Sequence, residues 1–193
     1  RRLWPMPSDA RTPAAAVFTY AGFDLDPARN RVTCRYRLDG REFREEVTFP
    51  GGGDWTQPAV TEAARLLFLL AGVSYYKAGA PPVIDLGDTA VTARERAFLR
   101  EYYLEGLGEF AHRNGLDLSG LRIEGPTLDR TAPTPYQPKP GRPLVPFGGG
   151  LDSIVSVELV RAHAPEAALF VVNRPGDRFD AIETPAETTG LPV

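Results

Sequence analysis

The stretch Pro146–Phe147–Gly148–Gly149–Gly150–Leu151–Asp152–Ser153 holds the residues best placed to do chemistry. Glycine gives up the most backbone entropy on folding, so three together mark a turn rather than the inside of a helix or strand. Arg142 to Val145 reads as an apolar strand before it, and "IVSVELVRAHA" as a mostly buried helix after it. A glycine turn in that setting aims free backbone N–H groups and the positive end of a helix dipole at one spot, which suits a phosphate. Gly148, Gly149 and Gly150 then let the backbone approach the anion. Ser153 adds a hydroxyl, and Asp152 either caps the helix or helps hold Mg²⁺. The competing reading is a tight turn without a ligand. Neither the Walker A spacing nor the Rossmann G-x-G-x-x-G spacing is present. A second triplet, Gly51–Gly52–Gly53, follows an antiparallel strand with no apolar helix directly behind it, and reads as a loop only.

Three further groups are candidates. Val172 and Asn173 close the next predicted strand, "ALFVVN", where open α/β folds receive the base or ribose of a nucleotide. Tyr75, Tyr76 and Lys77 end an apolar helix beside a proline turn and could meet an anionic substrate. The alternative is a lysine favourably placed at a helix C-terminus over core tyrosines. His112 and His163 near helix C-termini read as charged caps; Arg174 and Arg178 could reach phosphate, with ordinary surface arginines as the competing reading. No Ser-His-Asp or metal-ligand constellation is visible, and no residue is nominated as a catalytic base.

Two kinds of architecture must position these residues. From Val17 to Phe49 the period is two, with Asp39–Gly40 as a hairpin signal, which predicts a three-stranded antiparallel meander with one solvated, charge-rich face. A helix is predicted from Pro58 to Tyr76 and another from Thr92 to about Arg113, opened by a Thr92/Glu95 capping box and stopped by Asn114–Gly115. "PPVIDLG" between them reads as a short strand. The expected organisation is a loosely packed lead-in (1–15), an α+β domain (16–124), a proline-rich linker (125–141) and an α/β domain (142–193). The last reads as strand 142–147, helix 152–164, strand 168–173 and helix 177–189, the βαβα grammar of a parallel sheet. Such sheets need more than two strands, so this domain is expected to continue in a longer protein.

Composition narrows the class. The 193 residues carry a formal net charge of −3, which gives no bulk attraction to nucleic acid or anionic membrane. Cys34 is the one cysteine, so neither an intrachain disulfide nor a cysteine-cluster zinc site can form, and a reducing compartment is expected. The N-terminal stretch lacks the apolar core of a secretory signal, and no run approaches the roughly 20 apolar residues of a bilayer span. A cytoplasmic location is the expectation. Oligomeric state is left open.

Gly148–Gly149–Gly150–Leu151–Asp152–Ser153 resembles the S-G-G-x-D-S loop of the ATP pyrophosphatase (PP-loop) superfamily, with Gly148 where that superfamily usually has serine. The resemblance implies a HUP-like nucleotide domain, seen here incompletely, that splits ATP between its α and β phosphates. Together with "LLFLLAGVSYYKAGAPPVIDLGD" and "ERAFLREYYLEGLGEFAHRNGLDL", the chain is similar over most of 17–193 to the UDP-N-acetyl-α-D-muramoyl-L-alanyl-L-glutamate epimerase (MurL) family of peptidoglycan synthesis. That resemblance implies ATP and Mg²⁺ as requirements, a UDP-muramoyl dipeptide as substrate, and inversion of its terminal L-glutamate through an adenylated carboxylate. Two other classes stand beside it: an amidating or thiolating PP-loop ligase, and a nucleotide-binding module without catalysis.

Overall fold

The computed structural model describes residues 16–49, 51, 53–129, 142–174 and 176–193. The expected lead-in (1–15) and residues 130–141 of the expected linker lie outside the described residues. The chain forms two compact units, 1–132 and 133–193.

In the first unit, β1 (Phe18–Asp26), β2 (Arg31–Leu38) and β3 (Arg41–Thr48) form the antiparallel meander. Asp39 and Gly40 both take positive φ, as a two-residue type I′ connection requires. The apolar alternation slips by one residue inside β1, from Phe18 and Tyr20 to Phe23 and Leu25. A β-bulge between Tyr20 and Gly22 absorbs the slip, so Tyr20 still faces Tyr36 and Phe23 faces Cys34 across the ladder. The outer face carries cross-strand ion pairs such as Arg37–Glu42 and Arg31–Glu46.

The sheet extends past the meander. β4 (Val83–Asp85) pairs in parallel with β1, and β5 (Arg122–Glu124) in parallel with β4, giving the order β3-β2-β1-β4-β5. The first unit is therefore built on a mixed sheet. Periodicity does not predict β5, because three residues are too few to show alternation.

α1 (Pro58–Tyr76) starts at Pro58 as predicted and buries Ala64, Phe68, Leu69, Gly72 and Tyr76. Phe68 packs against the Tyr20 and Tyr36 rings, at 5.1 and 5.3 Å between centroids; enclosing such a side chain contributes about 1.5–3 kcal/mol. Gly72 is needed for this packing, since a Cβ there would lie 2.5 Å from the Tyr20 hydroxyl. That hydroxyl donates to the Leu69 carbonyl at 2.7 Å and so accepts from Tyr103 at 2.6 Å.

The helix expected from Thr92 to Arg113 is two helices, α2 (Ala93–Gly106) and α3 (Gly108–Asn114). The capping box opens α2: Glu95 N–H donates to Thr92 Oγ1 at 3.1 Å, and Thr92 N–H to Glu95 Oε2 at 2.8 Å. The break falls at Leu107, with φ −106° and ψ 11°. Glycine on both sides weakens helix propensity there, and Leu107 turns into the core.

The second unit keeps the predicted order: β6 (Leu144–Pro146), α4 (Leu151–Arg161), β7 (Ala168–Phe170) and α5 (Asp180–Thr189), with β6 and β7 parallel. Val145, Phe147, Val157, Ala167, Leu169 and Ala186 form its core. Both strands are shorter than 142–147 and 168–173. The last rung is Phe147 N–H to Phe170 O at 2.8 Å; beyond it the chain leaves the sheet at the glycine turn, and residues 171–173 lose their partner. Leu169 alternates away from β6, and its N–H donates to Pro192 O at 2.7 Å. No helix among the described residues is long and apolar enough to cross a membrane.

Candidate functional site

The glycine turn joins the C-terminal end of β6 to the N-terminus of α4, the placement its sequence predicts. Gly150 is the N-cap, at φ −81° and ψ 170°, and no side chain bonds the first-turn N–H groups of α4. A Cβ added at Gly150 would meet nothing within 4 Å, so the space before these donors is open. Ser153 Oγ accepts from Gly148 N–H at 3.0 Å, which closes the turn and leaves the hydroxyl proton available. Asp152 is exposed in the first turn and makes no cap.

Gly149 plays a different part. Its φ is +75°, and a Cβ would lie 2.2 Å from Ala181 O and 2.9 Å from Ile182 Cα. The middle glycine is thus required by the first turn of α5 packed against it, independently of any ligand. Gly148 and Gly150 carry no such constraint.

Val172 and Asn173 extend from the same end of the two-stranded sheet as the glycine turn, but not as strand residues. Val172 is 76% exposed. Asn173 closes its own loop, donating through Nδ2 to Asp177 O at 2.9 Å while Oδ1 accepts from Arg174 N–H at 3.0 Å. Its amide is engaged in that loop, whereas Val172 is open. Arg178 lies 3.8 Å from Glu183 at the start of α5.

The three residues ending α1 separate. Tyr76 is fully enclosed, donates to Pro81 O at 2.9 Å, and is pushed up to about 12 by burial. It belongs to the core and is not available to a substrate. Tyr75 is half-buried against Tyr36 and Phe43, and its hydroxyl donates to Glu45 Oε2 at 2.5 Å. Burial first, and the Glu45 carboxylate second, raise it above the ordinary tyrosine range. Lys77 is exposed at the helix end. The arrangement matches the packing alternative more closely than a three-residue substrate grip. Burial also pushes the Cys34 thiol up to about 11, which leaves it a core residue without nucleophilic character.

No cluster of three or more His, Cys, Asp or Glu side chains able to hold a metal occurs among the described residues. Asp152 places one exposed carboxylate at the glycine turn, and an Mg²⁺ shell there would need phosphate oxygens and water to complete it. Two cavities in the first unit were not foreseen. One, of about 530 Å³, is mostly apolar and is bordered by Gly51 and Gly53 together with Phe49, Trp55, Ala63 and Leu67. The other, of about 470 Å³, lies between α2 and β5 and is lined by Arg96, Arg100 and Arg122. The four-residue spacing of Arg96 and Arg100 was the available signal for it.

The sequence signature of the MurL N-terminal domain matches residues 9–193. The chain belongs to the MurL N-terminal domain family. It is 38% identical over 184 residues to a Xanthomonas oryzae pv. oryzae protein named UDP-N-acetyl-alpha-D-muramoyl-L-alanyl-L-glutamate epimerase. It is 34% identical over 190 residues to a protein of that name from Salinispora tropica, and 34% identical over 170 residues to one from a Micromonospora species. These alignments cover 92%, 92% and 81% of the chain but 40%, 40% and 37% of the relatives, so this MurL N-terminal domain chain spans well under half their length. No solved structure matches it.

Proposed function

We propose that this chain is part of an enzyme that inverts the terminal L-glutamate of UDP-N-acetyl-muramoyl-L-alanyl-L-glutamate to D-glutamate, at the expense of ATP. The observation that carries the reading is the similarity over nine-tenths of the chain to proteins named for that epimerisation. The α-hydrogen beside a carboxylate is hard to remove, because the product is a dianion. Attack of the α-carboxylate on the α-phosphorus of ATP forms an acyl-adenylate and releases pyrophosphate. The α-carbon is then acidic enough for an ordinary base, and reprotonation on the other face inverts it. Water cleaves the acyl-adenylate and AMP leaves.

The second unit suits the ATP side of this chemistry as the start of a PP-loop domain. The uncapped first turn of α4, the open space at Gly150 and the free proton of Ser153 support a pyrophosphate cradle. Bound Mg²⁺ supplies charge neutralisation on the phosphates, and Asp152 is the residue of this chain offered to it. Exposed Val172 is positioned for the nucleoside, with Asn173 shaping the loop beside it. The net charge of −3 and the buried lone thiol favour a cytoplasmic enzyme acting on a small molecule, without a nucleic-acid or membrane partner. The test is product analysis with the full-length enzyme: AMP and pyrophosphate, formed only with the muramoyl dipeptide present, support the reading, and ADP with phosphate overturns its ATP chemistry.

A further inference from the structure

β5 is an outer strand of the five-stranded sheet, and α2 reaches its open edge through Arg96. Arg96 reaches across from α2 and donates through Nη1 to Ile123 O at 2.8 Å and through Nη2 to Gly125 O and Pro126 O at 3.0 and 3.1 Å. Those carbonyls account for Arg96: it covers the open edge of β5 at Ile123 and the turn that follows. They do not explain its neighbours.

Arg100, one turn further along α2, donates from Nη2 to Ser119 O at 2.9 Å. Arg122 on β5 meets Glu124 through Nε at 3.2 Å, with both side chains more than half exposed, a type of pair that contributes little. A guanidinium has five N–H donors, so most of those on Arg100 and Arg122 have no partner among the described residues. Both border the cavity of about 470 Å³ whose lining holds three arginines, no carboxylate, and an apolar floor of Leu121, Ile123, Ala93 and Ala97. Its size is within the range of small-molecule sites, and apolar walls with a few charged groups are their usual composition. Two forked cations facing one space match a doubly anionic, oxygen-rich group, since arginine binds phosphate in a bidentate manner.

We propose that this cavity binds the diphosphate group of a nucleotide, gripped by Arg100 and Arg122 over the platform that Arg96 holds in place. The choice of ligand class deepens the substrate reading above, in which the substrate is a UDP ester, and rests on it; the site itself rests on the arginine geometry.

The test is calorimetric titration of the full-length enzyme with UDP and, separately, with ADP. Replacing both Arg100 and Arg122 by alanine should weaken binding about tenfold or more, since each removes charged hydrogen bonds, with the melting temperature unchanged because both side chains are exposed. Glu124→Gln, which removes the competitor for Arg122, should tighten binding. UDP binding in preference to ADP identifies a uridine nucleotide as the source. Equal binding with the same arginine dependence identifies a diphosphate site indifferent to the base. Absence of binding by either nucleotide, or binding unchanged in the R100A/R122A variant, overturns the proposal. If epimerisation fails in the full-length enzyme while UDP binding still depends on Arg100 and Arg122, the substrate reading falls and the site stands.

Discussion

A Cβ atom on Gly149 would lie 2.2 Å from the carbonyl oxygen of Ala181. The glycine triplet therefore divides its labour. Gly149 lets the first turn of α5 press against the turn, while Gly150 leaves open the approach to the α4 N-terminus.

Gly149→Val should destabilise the second unit by at least about 1–3 kcal/mol, through left-handed backbone strain and overpacking together. Hydrogen exchange resolved by segment checks this: faster exchange in α4 and α5 is expected, with the meander unchanged. Native-like protection in the variant would mean that α5 does not rest on Gly149.

Gly150→Val should do the opposite. No atom obstructs its side chain and its φ of −81° suits any L-residue, so the fold should persist. ATP affinity of the full-length enzyme should fall about tenfold or more, because the side chain fills the space in front of the helix N–H groups. Unchanged affinity at unchanged stability would remove the turn from the nucleotide site.

The core tyrosine pair yields an asymmetric prediction. Tyr103→Phe removes one buried bond to Tyr20, and about 0.5–1.5 kcal/mol is the expected loss. Tyr20→Phe strands the buried Tyr103 hydroxyl and also frees the Leu69 carbonyl, for a loss of about 1–3 kcal/mol. Denaturant unfolding of the two variants measures the order directly.

Local and distant effects separated cleanly in what the sequence revealed. The Asp39–Gly40 hairpin, Pro58 at the start of α1 and the Thr92/Glu95 capping box are short-range codes, and each forms as predicted. β5 depends on pairing with β4, nearly forty residues earlier, and carries no pattern of its own. The Gly106–Leu107–Gly108 break was written in the glycines but masked by the helical stretch around it. At the site, the strand–turn–helix setting of Gly148 to Ser153 was legible. The packing role of Gly149, the enclosure of Tyr76 and the loop engagement of Asn173 were not, because each depends on what folds against the residue.

Stability of the first unit should respond to acid through Glu95. Burial raises this carboxyl, but the Arg65 guanidinium and the Thr92 donors outweigh burial and hold it below its ordinary 4.5. A depressed carboxyl contributes stability that is present above the unfolded value and lost as pH falls through the folded one. Glu95→Gln should therefore lower stability at neutral pH and flatten its fall below about pH 4.5. Parallel pH profiles for the variant and the parent protein would assign the acid sensitivity elsewhere.

Inversion at the glutamyl α-carbon is the central claim, and solvent hydrogen reports on it. The full-length enzyme, supplied with ATP, Mg²⁺ and the L-alanyl-L-glutamyl muramoyl nucleotide in heavy water, should release AMP and pyrophosphate. The D-glutamyl product should carry deuterium at its α-carbon, because the original proton must leave before another returns on the opposite face. Free L-glutamate should turn over poorly, since it lacks the nucleotide and sugar whose binding positions the reacting carbon. AMP formed without deuterium in the glutamyl residue, or deuterium without inversion, would contradict the account.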